Sequence, residues 1–226
     1  MASDTHSLDH WYIIHRWQQY EGEARANLLR IIAIGTFYLI HLWSYFSSLG
    51  KLPNWGLLQL AESGSIDRRF HVMVTLLAVA WVMMAAAVHL ALRGRFFPPW
   101  LPMLSTLCDV LFLTSVMTIS AGPRSPLVVG YFLIIALSAL RFDLLLVQVT
   151  SVASVVGYVS LLGYAKWPAT FGGDPAIDLT VPRYQQLIVL AALALTGIIV
   201  GQVVRRVSHL VATHKSYLVD QARHKS

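Results

Sequence analysis

Asp109 closes the run STLCD (105–109) inside a block of otherwise apolar residues. It lies about ten residues into that block, so roughly 15 Å from its start at the rise of an α-helix. An ionisable group at such depth in a membrane is costly, and each one is a functional candidate until a partner explains it. His41 is the second candidate. It lies about eleven residues beyond Arg30, which places it at a depth similar to that of Asp109. Depth permits a His41–Asp109 hydrogen bond without requiring one, and Thr36, Thr106 and Thr114 are alternative partners. The plain role for Asp109 is a clasp between helices; the other is sensing or proton coupling.

His71 and His89 are 18 residues apart, five whole helical turns, so they share a face but sit about 27 Å apart along it. They cannot ligate one centre. His41 then has no second histidine at its depth, and bis-histidine haem would need two. The single cysteine, Cys108, can form no internal disulfide and reads as a small buried hydrophobe. There is no GxSxG, no HExxH and no pair of carboxylates within one block. The chain is therefore expected to be non-catalytic by itself, with no cofactor and no metal.

The elements that must position these residues follow from composition. Of 226 residues, 56% are hydrophobic and 12% charged, too few charges to cover a soluble globule. The apolar residues come in blocks of membrane-spanning length. The fold class expected is all-α: six transmembrane helices in an up-and-down bundle, over about 31–49, 70–92, 99–120, 126–140, 142–165 and 185–204. Residues 1–27 read as a cytoplasmic interfacial helix carrying Trp11, Tyr12, Ile13, Ile14 and Trp17, residues 28–204 as the membrane domain, and 205–226 as a cytoplasmic exit helix. The fourth block is short, so it either extends into its flanks or sits where protein rather than lipid surrounds it.

The net charge of +6 comes from basic residues at block ends, where anionic lipid headgroups would meet them; no stacking groove for nucleic acid is present. Six spans put both termini on one face. That face collects eleven Lys and Arg, including Arg30 and Arg141, against six on the other, which places both termini in the cytoplasm. Between spans, Pro98 and Pro99 can open a helix, Gly122 and Pro123 break one, Ser125 caps the next with Pro126 following, and Asp143 caps the fifth. The longer connections at 50–69 and 166–184 read as an amphipathic interfacial stretch and an irregular cap. Trp43, Tyr45, Trp55 and Trp167 read as anchors in an aromatic belt, with the lining of a ligand site near the outer surface as the alternative.

The last span contains Gly197-x-x-x-Gly201, a flat strip that can receive another helix, either from a second chain or from the same bundle. Beyond Arg205 and Arg206 the apolar residues Val204, Val207, Val211, Leu218 and Ala222 keep a loose heptad register, with His214 and Gln221 at weaker positions. Neither glycine nor proline occurs between 202 and 226, so nothing in the sequence stops the helix at the membrane surface. This predicts a coiled-coil exit helix and a homodimer through the sixth span; the alternative is a solvated C-terminal helix that frays.

The third block STLCDVLFLTSVMTIS, the turn AGPRSPL, the following VVGYFLIIALSALRF and the basic helix RRVSHLVATHKSYLVDQA together resemble the polytopic membrane regions of bacterial sensor histidine kinases and related membrane-anchored signalling proteins such as nucleotide cyclases. The family turn commonly reads Gly-Gly-x-x-Ser-Pro, and Ala121 replaces its first glycine. The resemblance implies a sensor or anchor module in the bacterial inner membrane, one that passes a helix displacement to a cytoplasmic output domain or partner protein. The phospho-acceptor motif of those kinases is not matched, since His224 in RHKS lacks the following Glu. The competing expectations are a substrate-capture subunit of a small transporter and a scaffold without a ligand.

Overall fold

The computed structural model describes the backbone of residues 2–51, 68–94, 96–171 and 179–224, and the side chains of residues 20–51, 68–94, 96–170 and 179–211. Six α-helices follow one another: α1 (Ala2–Ser48), α2 (Arg68–Arg93), α3 (Leu101–Ile119), α4 (Val129–Ala139), α5 (Leu144–Lys166) and α6 (Arg183–His224). No strand occurs among the described residues. Among the described residues, five helical stretches are long and apolar enough to cross a membrane, and Pro126–Ala139 is a shorter apolar one. The chain thus has the build of a multi-pass membrane protein. Its large apolar side chains face outward in number, as Met83 (68% exposed) and Leu187 (67%) do, a surface that water would not tolerate and lipid would cover.

The first helix departs from expectation. Instead of an interfacial helix separate from the first span, α1 is one continuous helix of 47 residues. No proline interrupts it. The charges at Glu23 and Arg30, which look like a membrane boundary in sequence, are instead buried against other helices. The side chains before Tyr20, including the expected aromatic anchors, lie outside the described residues.

Helices α1 and α2 run antiparallel, and polar rungs mark their register. Tyr20 Oη donates to the Leu92 carbonyl (3.2 Å), Asn27 Nδ2 to the Ala85 carbonyl (3.1 Å), Tyr38 meets Thr75 (3.2 Å) and His41 meets His71 (3.1 Å). The main core lies where α3, α4, α5 and α6 meet, around Met117, Tyr131, Ile135, Tyr158, Leu161 and Leu193.

Local capping is as the sequence predicts. Ser125 Oγ accepts from Leu127 N at 3.3 Å and opens a 3₁₀ turn (Pro126–Val128) that leads into α4. Asp143 accepts from Leu145 N (2.9 Å) and Leu146 N (3.2 Å) at the start of α5. In the turn before α4, Gly122 takes φ +57°, a conformation that favours glycine, whereas Ala121 sits at φ −87°, where a side chain costs nothing. Helix α3 starts slightly later than expected, with Pro102 rather than Pro98 or Pro99 in its first turn. Most of the 50–69 and 166–184 connections lies outside the described residues.

α4 is shorter than α3, and its flanks make up the difference: Ser125, before the 3₁₀ turn, borders one cavity with Ser120, and Arg141, in the turn after α4, reaches the Pro102 carbonyl (3.2 Å) at the other end of α3. One face of α4 (Gly130, Ile134, Ser138) is buried, while Val129 on the opposite face is 67% exposed. The fourth block is therefore only partly enclosed by protein.

Gly22 lets this α4–α5 turn touch α1. A Cβ built there would stand 2.6 Å from the Leu140 carbonyl oxygen and 3.1 Å from Arg141 Cα. Both are backbone atoms and cannot turn aside. Gly22→Ala is accordingly expected to destabilise the purified protein by about 1–3 kcal/mol through overpacking, even though alanine favours the helix. A melting midpoint at or above that of the wild type would contradict the close approach.

Candidate functional site

The turn that Gly22 admits carries Arg141, and from it a polar network runs through the bundle. Glu23 is 0% exposed, Arg30 3%, Asp109 4% and Arg141 5%, so four charges are out of contact with solvent or lipid. Arg141 Nη2 donates to Glu23 Oε1 (2.9 Å), and its Nε lies 2.6 Å from Glu23 Oε2, close enough for an ion pair although the N–H points off that line. The same guanidinium donates to Ser105 Oγ (3.3 Å), to Thr106 Oγ1 and to the Pro102 carbonyl. Ser105 in turn donates to Glu23 Oε1 at 3.2 Å. Burial draws the pKa of the Arg141 guanidinium down, and the Glu23 carboxylate pulls it back up; an arginine stays charged through such a contest.

The second pair lies deeper. Arg30 Nε donates to both oxygens of Asp109, at 2.8 and 2.9 Å, while Arg30 Nη1 donates to Asn27 Oδ1 at 2.6 Å. Trp81 of α2 completes the carboxylate by donating its indole N–H to Asp109 Oδ1 at 2.8 Å. Arg30 Nη2 comes within 4.0 Å of Glu23 Oε1 and joins the two pairs. Two cations and two anions make the cluster neutral. It joins α1, α2, α3 and the α4–α5 turn, in a setting where paired charges persist only if nearly every donor and acceptor is satisfied.

Asp109 is thus a helix clasp, but its partner is Arg30 rather than His41. Thr36, Thr106 and Thr114 all donate to their own helix, to the carbonyls of Ile32, Pro102 and Val110, and none of them reaches the carboxylate. His41 lies instead toward the far end of the bundle, and its Nε2 is 3.1 Å from His71 Nδ1. The expectation that His41 has no histidine at its depth is therefore wrong. Counting upward from Arg30 as a surface residue put His41 near the midplane, whereas Arg30 is itself well inside α1. The rings of His41 and His71 stack at 16°, and Tyr45 stacks on His71 with centroids 3.9 Å apart. Among the described residues no three His, Cys, Asp or Glu side chains gather as a metal site would require. Cys108 is half-buried and free, and His89 is exposed on α2.

Between the histidine pair and the charge cluster lies an apolar cavity of ≈ 80 Å³ among α1, α2, α3 and the turn before α4. Ile34, Tyr38, His41, Val74, Trp81 and Leu113 are among its walls. Trp81 belongs to both regions: its ring lines the cavity and its N–H holds Asp109. Glu23, Arg141 and Trp81 were not singled out as site residues by sequence reasoning. The available signal was the anomaly of Glu23 and Arg30 seven residues apart, two turns of one helix face, beside an otherwise apolar block.

The glycine pair of the last span packs inside the chain. A Cβ at Gly197 would collide with the Ser151 side chain of α5, and one at Gly201 would lie 3.5 Å from Leu144 Cδ1. Of the exit-helix positions, Val204 is 2% exposed and buried in the same chain, Val207 is half-buried and Val211 is 54% exposed. The side chain of Leu218 lies outside the described residues, though the helix backbone continues to His224.

No family model, curated protein or solved structure matches this chain. What it does therefore has to be argued from its own geometry.

Proposed function

We propose that this chain is the membrane sensor or anchor module of a signal-transduction system in the bacterial inner membrane, passing a helix displacement to a cytoplasmic output domain or partner protein. The observation that carries the reading is α6, one unbroken helix of 42 residues from Arg183 to His224, about twice what a bilayer crossing needs. A rigid rod of this kind transmits a shift or rotation along its length.

Six crossings with both termini in the cytoplasm fit this reading. The segment from Ser125 to Arg141, α4 with its two flanks, reaches residues near both ends of α3, which supports counting it as a crossing. Arg30 and Arg141 pair inside the protein and so no longer bear on orientation, but the remaining basic residues still favour the same face, nine to six. Trp81 gives the sensor a place to act. Matter entering the cavity presses on an indole whose N–H holds Asp109, and Asp109 holds Arg30 of α1.

The chain is proposed to act as a homodimer. The glycine pair serves α5, so the second chain meets α6 through the exit helix, at Val207 and Val211. In a Cys108→Ala background, Val211→Cys is expected to form a disulfide between chains under mild oxidation. Trp81→Phe, which removes the donor to Asp109, is expected to change that cross-linking rate several-fold. The absence of any disulfide between chains would sink the paired exit helix, and an unchanged rate would sink the coupling through Trp81.

A further inference from the structure

We propose that the groove between α5 and α6 is a binding site for one anionic phospholipid, its phosphate held by Arg205 and its acyl chain lying along the groove toward Val156. The groove runs along the seam where Gly197 and Gly201 let α6 come close to α5, and exposed Val152, Val156 and Ile198 border it on the outer side of the bundle. Its lining is divided by chemistry. At one end stand Arg205, Gln202 and Gln148 around Leu144; further along, apart from Ser151, it is valine, alanine and isoleucine. α5 and α6 are antiparallel, with Leu144 at the level of Gly201 and Ser151 at that of Gly197, so the three polar side chains come from the same end of both helices.

These three side chains are exposed, and none has a hydrogen-bond or ion-pair partner among the described residues. Two carboxamides turned toward a lipid-exposed groove are costly unless something there accepts their hydrogen bonds, and Arg205 stands at the membrane boundary where a headgroup lies. No lining residue is acidic. The nearest carboxylate by sequence, Asp143, is engaged in capping α5. A phosphodiester supplies the missing anion, its ester carbonyls accept from the glutamines, and its chain covers the apolar part. From Arg205 to Ala194 the groove extends eleven residues, about 16 Å of helix, comparable to much of an acyl chain. Ser151 is not a further donor to the site, because its hydroxyl donates to the Val147 carbonyl at 2.7 Å. The proposal needs only that the apolar helices lie in a bilayer and is independent of the sensor reading.

The test is lipid retention by the full chain. The protein is extracted from vesicles of equal phosphatidylglycerol and phosphatidylcholine and examined by native mass spectrometry. One phosphatidylglycerol per chain is expected to survive delipidation in preference to phosphatidylcholine. Arg205→Gln combined with Gln202→Leu is expected to lower its retention at least tenfold, while Arg206→Gln, whose side chain is outside the groove, leaves it unchanged. Val152→Trp blocks the apolar part with the charge intact and is expected to lower retention as well, which keeps the test decisive if the double variant fails to fold. The proposal is overturned if the two lipids are retained equally, if Arg206→Gln acts as strongly as the Arg205 variant, or if the groove proves to be covered by a second copy of the chain without lipid.

Discussion

Arg141→Ala is expected to destabilise the purified protein by about 3–5 kcal/mol, the cost of leaving a buried carboxylate without its cation. Glu23 is fully buried, and it would retain only Ser105 and the more distant Arg30 as partners. The loss should appear as a lowered thermal midpoint in detergent. It should also be largely recovered in the double variant Glu23→Gln/Arg141→Met, because a buried pair exchanged for neutral groups of similar volume is often no less stable than the pair. Recovery distinguishes an unpaired charge from lost packing. If the double variant is as unstable as the single one, Arg141 acts through its contacts with Pro102 and Thr106 and the ion pair is secondary.

The second large effect is expected at Asp109. Asp109→Ala removes the acceptor of both Arg30 Nε bonds and of the Trp81 indole, leaving a guanidinium buried with only Asn27 and the edge of Glu23 to face. A loss of about 3–5 kcal/mol is again the scale. Asp109→Asn retains an acceptor oxygen for one donor and should fall between alanine and the wild type. Arg30→Met combined with Asp109→Leu should recover stability. The coupling energy of the Arg30–Asp109 cycle, read from the two single variants and the double, should reach at least about 1 kcal/mol. Additive effects would show that the two side chains do not act as a pair.

Much of the fold was legible because it is written locally. The lengths of the apolar blocks gave the helices, and Ser125 and Asp143 cap where their side-chain chemistry says they should. The interior was less legible, because a charge in sequence carries no mark of its partner. Arg30 and Glu23 look like the polar end of a span, and only the arrival of Asp109 and Arg141 from elsewhere in the chain turns them into its interior. The error at His41 follows from the first. Once Arg30 is placed at a membrane surface, every depth on α1 is shifted, and the antiparallel partner His71 near the start of α2 is missed. The glycine pair shows a different limit. Its flatness was legible, but a strip that fits any helix does not name which one, and here it is α5.

What most directly tests the account is the side of the membrane on which the ends of the bundle lie. Single cysteines at Arg124 and at Val211, in a Cys108→Ala background, can be challenged with a membrane-impermeant maleimide in intact and in permeabilised cells. The account predicts that the cysteine at 124 is labelled in intact cells and that the one at 211 is labelled only after permeabilisation. Labelling of both from the same side would mean that the segment from α4 to α6 does not cross as proposed, and α6 would not project into the cytoplasm.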